Sequence, residues 1–254
     1  MYPFIHIGPL TLGSYGLMVA IGLICGFFIL RADFARRGVS ADAEAIIGIA
    51  GLAGLAGSRL YHLLESPAEF FADPWPQLFS TMGFAFAGAI IGGFFALLLL
   101  AKRFKMSPLL MLDAASPAAA LGYGIGRIGC LISGDGDYGI PTSLPWGMSF
   151  PNGIVPTTER VHPTPIYEFL VAILIFWILW RLGARALKTR APNGIIFAAY
   201  LVLTGIARFL VEFIRINPRS FYGLTNAQVA SVVSVIAGAA LYLYCRKAKP
   251  VPAR

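Results

Sequence analysis

Six arginines, Arg59, Arg127, Arg160, Arg208, Arg215 and Arg219, stand apart from the other basic residues of this 254-residue chain. Arg59, Arg127 and Arg208 fall within, or at the ends of, long apolar runs. A charge held at membrane depth is costly and usually faces a bundle interior with a partner. The guanidinium is planar, weakly hydrated and forked, so it suits bidentate binding of phosphate. Three such groups at one level predict a cavity that holds a phosphate-bearing lipid headgroup. The competing reading is snorkelling to the interface, or pairing with Glu212, Glu168 or Asp135. Arg208 and Glu212 are spaced i, i+4 and share a helix face, so Glu212 either neutralises Arg208 or aims it.

Proton-handling groups are fewer. His162 has an intrinsic pKa near neutrality and is a candidate base, or else an interfacial residue before Pro163. His62 stands one turn from Arg59, and His6 lies in the N-terminal segment. Asp135 and Asp137 become candidate bases if burial raises their pKa values. Cys130, three residues after Arg127, is a candidate nucleophile or a small buried apolar group. The run Gly124-Ile125-Gly126-Arg127-Ile128-Gly129 has the spacing of a dinucleotide fingerprint. That fingerprint needs a preceding strand, and here it sits inside an apolar span, so its glycines are read as letting backbone approach a ligand near Arg127.

The elements that position these residues are read from hydropathy. Apolar side chains make up 57% of the chain and charged ones 13%, about half the charged share of a soluble domain. Continuous apolar runs of about 20 residues cross a bilayer as helices. Such runs lie near 12–30, 43–64, 83–101, 108–132, 163–181, 193–214 and 224–245. The expected fold class is therefore all-α, a polytopic membrane protein of about seven spans. A strand barrel is disfavoured because the apolar residues do not alternate.

Fourteen of the twenty basic residues follow spans one, three, five and seven, and every lysine is among them. The connection from Glu65 to Gln77 carries only acids. The positive-inside rule then predicts an outer N-terminus and a cytoplasmic C-terminus. The net charge of +8 is thus topological and does not point to nucleic acid. Span one has no basic segment before it and reads as an uncleaved anchor. Gly48, Gly51, Gly54 and Gly57 in span two, with Gly88 and Gly92 in span three, predict close helix contact. Residues 134–161 predict an outer loop or cap on one transmembrane domain, 1–254. Three cysteines without paired spacing imply no disulfide framework or zinc site. No metal or cofactor is expected, since no carboxylate–histidine cluster has ligand spacing.

The segment Gly126-Arg127-Ile128-Gly129-Cys130-Leu131-Ile132-Ser133-Gly134-Asp135 resembles the signature of bacterial prolipoprotein diacylglyceryl transferases. Further segments fall in order: Tyr15-Gly16-Leu17-Met18, Gly57-Ser58-Arg59, the turn Gly83 to Gly88, His162-Pro163-Thr164-Pro165-Ile166-Tyr167-Glu168, and Arg208 to Arg215. The resemblance implies a seven-span protein of the bacterial inner membrane. It implies transfer of the diacylglyceryl group of phosphatidylglycerol to the cysteine thiol of a preprolipoprotein lipobox, with release of glycerol phosphate. It places Arg127 and Arg208 on the phosphate and His162 in the catalytic set. Tyr15, Arg59, Gly88, Gly129, Cys130, Ser133, Asp135 and Glu212 would line the cavity.

The departures are as specific. Ala87 stands where the family carries a histidine in a Phe-His-Gly-Gly turn, and Cys130 and Ser133 replace two asparagines. Asp135 replaces a glutamate, an extra residue precedes Gly139, and Thr204 replaces a tyrosine. Alanine accepts no proton, so a base has to come from elsewhere. Two other outcomes fit retained arginines with a changed reactive shell: a paralogue passing lipid to a different acceptor, and a silent phospholipid-binding protein. A secondary transporter is weaker, because no internal repeat is visible.

Overall fold

The computed structural model describes residues 1–8, 10–65, 67–79 and 83–247. Nine helices and two short hairpins occur among them: β1 (Phe4–Ile7), β2 (Leu10–Gly13), α1 (Ser14–Arg37), α2 (Ala43–Glu65), α3 (Pro67–Ala72), α4 (Pro74–Phe79), α5 (Phe86–Arg103), α6 (Pro108–Ser133), β3 (Met148–Phe150), β4 (Thr157–Val161), α7 (Thr164–Thr189), α8 (Ile195–Val211) and α9 (Asn226–Lys247). Six of these helices are long and apolar enough to cross a membrane: α1, α2, α5, α6, α7 and α9. The chain is a multi-pass membrane protein. The sixth expected span, 193–214, forms the 17-residue α8, about 25 Å of helix at 1.5 Å per residue. Beyond Val211 the backbone tightens into i→i+3 bonds, from Phe213 N to Leu210 O and from Ile214 N to Val211 O.

The helices fall into two compact units, Phe34–Leu112 and the remainder, Met1–Asp33 with Asp113–Arg254. In the first unit, α2 and α5 pack along small residues. A Cβ on Gly57 would strike Gly88 O, and one on Gly92 would strike Ala53 O. Gly48 faces open space, so the glycine stripe of α2 is only partly spent on this seam. Gly88 is buried in it, against Gly57 and Tyr61.

In the second unit α6 is the central helix. Of its most apolar window 56% is buried, against 22–28% for the other five long helices. Its glycines let neighbours approach: Gly122 meets Gly22 of α1, Gly124 meets Ala172 of α7, and Gly129 meets Tyr15 and Met18 of α1. Ala120, Ile175, Leu179 and Ile196 close a core between α6, α7 and α8. The dinucleotide-like run lies wholly inside this helix, with no strand before it.

Asp113 of α6 sets the start of α8. Its carboxylate accepts from Gly194 N at 2.7 Å and Phe197 N at 2.8 Å, so two of the four orphan donors of α8 are satisfied and the negative charge sits at the positive end of the helix dipole. Gly194 takes φ 101° at this cap, a conformation natural only to glycine. Asp113→Ala is expected to lower stability by about 1–2 kcal/mol, the range of a lost N-cap, read as the thermal midpoint of the detergent-solubilised protein.

Residues 134–161 are folded. Strands β3 and β4 pair antiparallel, and Tyr138, Phe150 and Val161 form their own core with Met1, Leu131 and Met148 against it. Tyr138 and Phe150 stack at 5.2 Å. Tyr2 N donates to Ile132 O at 3.0 Å, which ties the N-terminal segment to the same end of α6. Arg160 staples the loop by donating to Pro145 O at 2.8 Å and to Gly147 O.

Candidate active site

The C-terminal half of α6 presents Tyr123, Arg127 and Cys130 on one side. Tyr123 and Arg127 are one turn apart, and the guanidinium lies over the phenol ring at 4.9 Å. Arg127 pairs with Asp137 just past the helix, and its Nε lies 3.4 Å from Glu168 Oε1. Its Nη1 also lies 3.8 Å from Cys130 Sγ.

Glu168, on the first turn of α7, is the hub. Its Oε1 accepts from Tyr123 Oη at 2.5 Å and from Arg208 Nη1 at 2.8 Å, and its Oε2 accepts from Arg215 Nη1 at 3.2 Å. Arg208 reaches from the end of α8. Its second nitrogen, Nη2, pairs with Glu212 Oε2 at 3.0 Å, so the i, i+4 contact forms and Glu212 aims Arg208 as well as neutralising it. Glu212 is fully buried and also accepts from Asn217. Arg215 closes the circuit on Asp137, by its Nη2 to the carboxylate and its Nη1 to the backbone carbonyl at 3.2 Å.

Three arginines thus meet three carboxylates, Asp137, Glu168 and Glu212, in a neutral ring. Several kcal/mol of desolvation per buried ion are offset only by such dense pairing. The ring is graded in access: the side chain of Arg208 is 26% exposed, those of Arg127 and Arg215 10% and 4%. Arg208 is thus the most accessible of the three guanidinium groups.

Two acids follow α6 and behave differently. Burial pushes the Asp137 carboxyl up, but Arg127 and Arg215 outweigh it and hold it below the ordinary carboxylate range. Burial pushes Asp135 up, and the charge of Asp137 adds to the rise. Asp135 Oδ1 accepts from Asp137 N at 3.2 Å. Cys130 Sγ and one oxygen of each aspartate lie within 4.8 Å of one another, a ligand-like cluster. Asp137 is already committed to two guanidinium groups there, and their charge opposes a cation.

Tyr15 lies on α1 against Gly129, within electrostatic reach of Arg127, Cys130 and Asp135. The Ser133 hydroxyl is buried and donates back to Gly129 O at 2.8 Å, as helix-interior serines often do. His162 Nδ1 is 3.2 Å from Tyr167 Oη, which accepts from Trp146 Nε1 at 2.8 Å. That chain pins the loop to α7. Arg59 and His62 belong to the other unit. Arg59 is buried, donates to Gly83 O at 2.8 Å and lies over the Phe84 ring, while the His62 ring packs on Gly83, which takes φ 81°. Both hold the turn into α5, the helix that carries Ala87 and Gly88. His6 bonds Thr11 across the N-terminal hairpin at 3.0 Å.

A sequence model of the family described as "Prolipoprotein diacylglyceryl transferase" matches residues 3–244. The chain belongs to that family. It is 34% identical over 235 residues to the phosphatidylglycerol–prolipoprotein diacylglyceryl transferase of Clostridium tetani, covering 90% of this chain and 91% of that protein. The enzyme of the same name from Bordetella bronchiseptica is 35% identical, with 94% and 93% covered. That from Geobacter sulfurreducens is 33% identical, with 87% and 84% covered.

Within the family frame, the sequence reading pointed to Arg127, Arg208 and Glu212, which the fold brings together. The sequence places Arg215 among the six outlying arginines but gives it no part in the cavity, does not mark Tyr123, and offers Glu168 only as a pairing partner and Asp137 only as a base. Tyr123 was detectable as an aromatic one turn before Arg127. Arg215 was hidden because the chain leaves the helix at Val211, which swings it into the ring. Arg160 and Arg219 bond loop carbonyls instead.

Proposed function

We propose that the chain is a phosphatidylglycerol–prolipoprotein diacylglyceryl transferase working in the bacterial inner membrane as one transmembrane domain, N-terminus outside and C-terminus cytoplasmic. The observation that carries this reading is the neutral arginine–carboxylate ring at the end of α6, α7 and α8. The donor phosphate enters on Arg208 and shares the guanidinium groups of Arg208 and Arg127 with the carboxylates that hold them. The acceptor thiolate attacks the glyceryl carbon bound to the phosphate oxygen. A carbon–sulfur bond forms, the carbon–oxygen bond breaks, and glycerol phosphate leaves with the electron pair. The negative charge growing on that phosphate is met by fixed guanidinium donors, whose effect is large where water is excluded. Tyr15, Cys130 and Asp135 line the approach, Gly129 lets α1 close on it, and Ser133 shapes the end of α6. His162, anchored through Tyr167, fixes the loop beside the site. Arg59 and Gly88 shape the turn and seam from which Ala87 projects.

A bacterium depleted of its own diacylglyceryl transferase and supplied with this chain tests the reading. Prolipoprotein is expected to gain the lipid and growth to return. Accumulation of unmodified precursor, with the chain present in the membrane, would favour a paralogue with another acceptor or a silent lipid binder.

A further inference from the structure

The family histidine is absent at Ala87, yet a thiol must lose its proton before it attacks. The described residues offer few acceptors near Arg127. Asp137 is held by two arginines, Glu168 by three arginines and Tyr123, and Glu212 by Arg208 and Asn217. His162 is turned to Tyr167. Asp135 is the acid of this site that no described arginine or lysine pairs with. Its carboxylate accepts a backbone N–H from Asp137 and a hydrogen bond from the Cys130 thiol, which fix it in place, and a carboxylate has further lone pairs for a proton. It is half-buried, faces Cys130 and Arg127 of α6, Asp137 of its own loop and Tyr15 of α1.

We propose that Asp135 is the general base of this chain, taking the proton of the acceptor thiol beside the phosphate-binding Arg127. The inference rests on the transferase reading above. The S–H bond gives its proton to an Asp135 oxygen, the sulfur keeps the electron pair and attacks the glyceryl carbon, and glycerol phosphate departs. The two neighbouring aspartates divide the work: Asp137 stays ionised in the ring, while Asp135, raised by burial and by Asp137, is closer to the basicity a thiol requires. Environments that push two acids apart commonly assign such roles.

The test compares Asp135→Asn and Asp135→Glu with the wild type, using phosphatidylglycerol and two lipobox peptides, one with cysteine and one with selenocysteine. A selenol is ionised at neutral pH and needs no base. Asp135→Asn is expected to slow transfer to the cysteine peptide about 100-fold or more, within the range of general base catalysis. It is expected to transfer to the selenocysteine peptide within about tenfold of wild type on the same scale of effects. Asp135→Glu keeps most of the cysteine activity, and lipid retained by the purified variants in native mass spectrometry reports intact folding. Equal slowing on both peptides, or wild-type rates for Asp135→Asn on cysteine, would overturn the proposal. No transfer by the wild type to either peptide would instead remove the transferase reading on which it stands.

Discussion

Replacing Glu168 by glutamine is expected to be the most damaging single change in the protein. Glu168 accepts from Arg208, Arg215 and Tyr123 and lies beside Arg127 Nε, with its side chain 4% exposed. The substitution keeps the shape but leaves three guanidinium groups facing two carboxylates. Removing one partner of a buried pair typically costs about 3–5 kcal/mol, because the remaining charge has no water to return to. Here the surplus is shared, so Arg208, the most exposed of the three, is expected to swing out and relieve part of it. The measurable result is a thermal midpoint well below wild type, together with loss of transfer. If Glu168→Gln melted like the wild type, the ring would not be the structural keystone of this end of the bundle.

Arg127→Ala is expected to abolish turnover while leaving the protein folded. The loss removes one positive charge from a ring that keeps Arg208 and Arg215. Asp137 retains Arg215, so the cost to stability is smaller than for Glu168. The cost to chemistry is larger, since the departing phosphate loses a fixed donor where its charge grows. Loss of one such donor typically slows a reaction by about 10²–10³-fold, and a full charge lies at or above the top of that range. Arg127→Lys is expected to restore little, because the ammonium cannot fork between Asp137, Glu168 and a phosphate. Initial rates at saturating phosphatidylglycerol check this; a rate within a few-fold of wild type would place the phosphate elsewhere.

The helices were legible from hydropathy because a bilayer demands apolar runs of fixed length, whatever the partners. Even the glycine-rich α2 and α6, each interrupted by charges, formed where expected, the glycines of α6 serving its contacts with α1 and α7. The end of α8 was not legible, because Arg215 pairs with Glu168 of α7 and Asp137 of the loop, and Ile214 O accepts from Ile140 N, all partners distant in sequence. The same reason explains the site. Arg127, Arg208 and Glu212 announce themselves as charges in apolar runs. Glu168 shows its weight only once α6, α7 and α8 are packed, 41 residues after Arg127 and 40 before Arg208. Arg59 looked equivalent to the other two arginines, yet it serves the turn into α5 through Gly83 O. A carbonyl partner leaves no signature in the sequence.

Purified protein supplied with phosphatidylglycerol and a lipobox peptide, followed for glycerol phosphate release and for peptide mass, tests the central claim most directly. The arginine ring with Ala87 in place of histidine is expected to release glycerol phosphate in step with a diacylglyceryl-sized gain in peptide mass. Retained lipid without release or mass gain would contradict it.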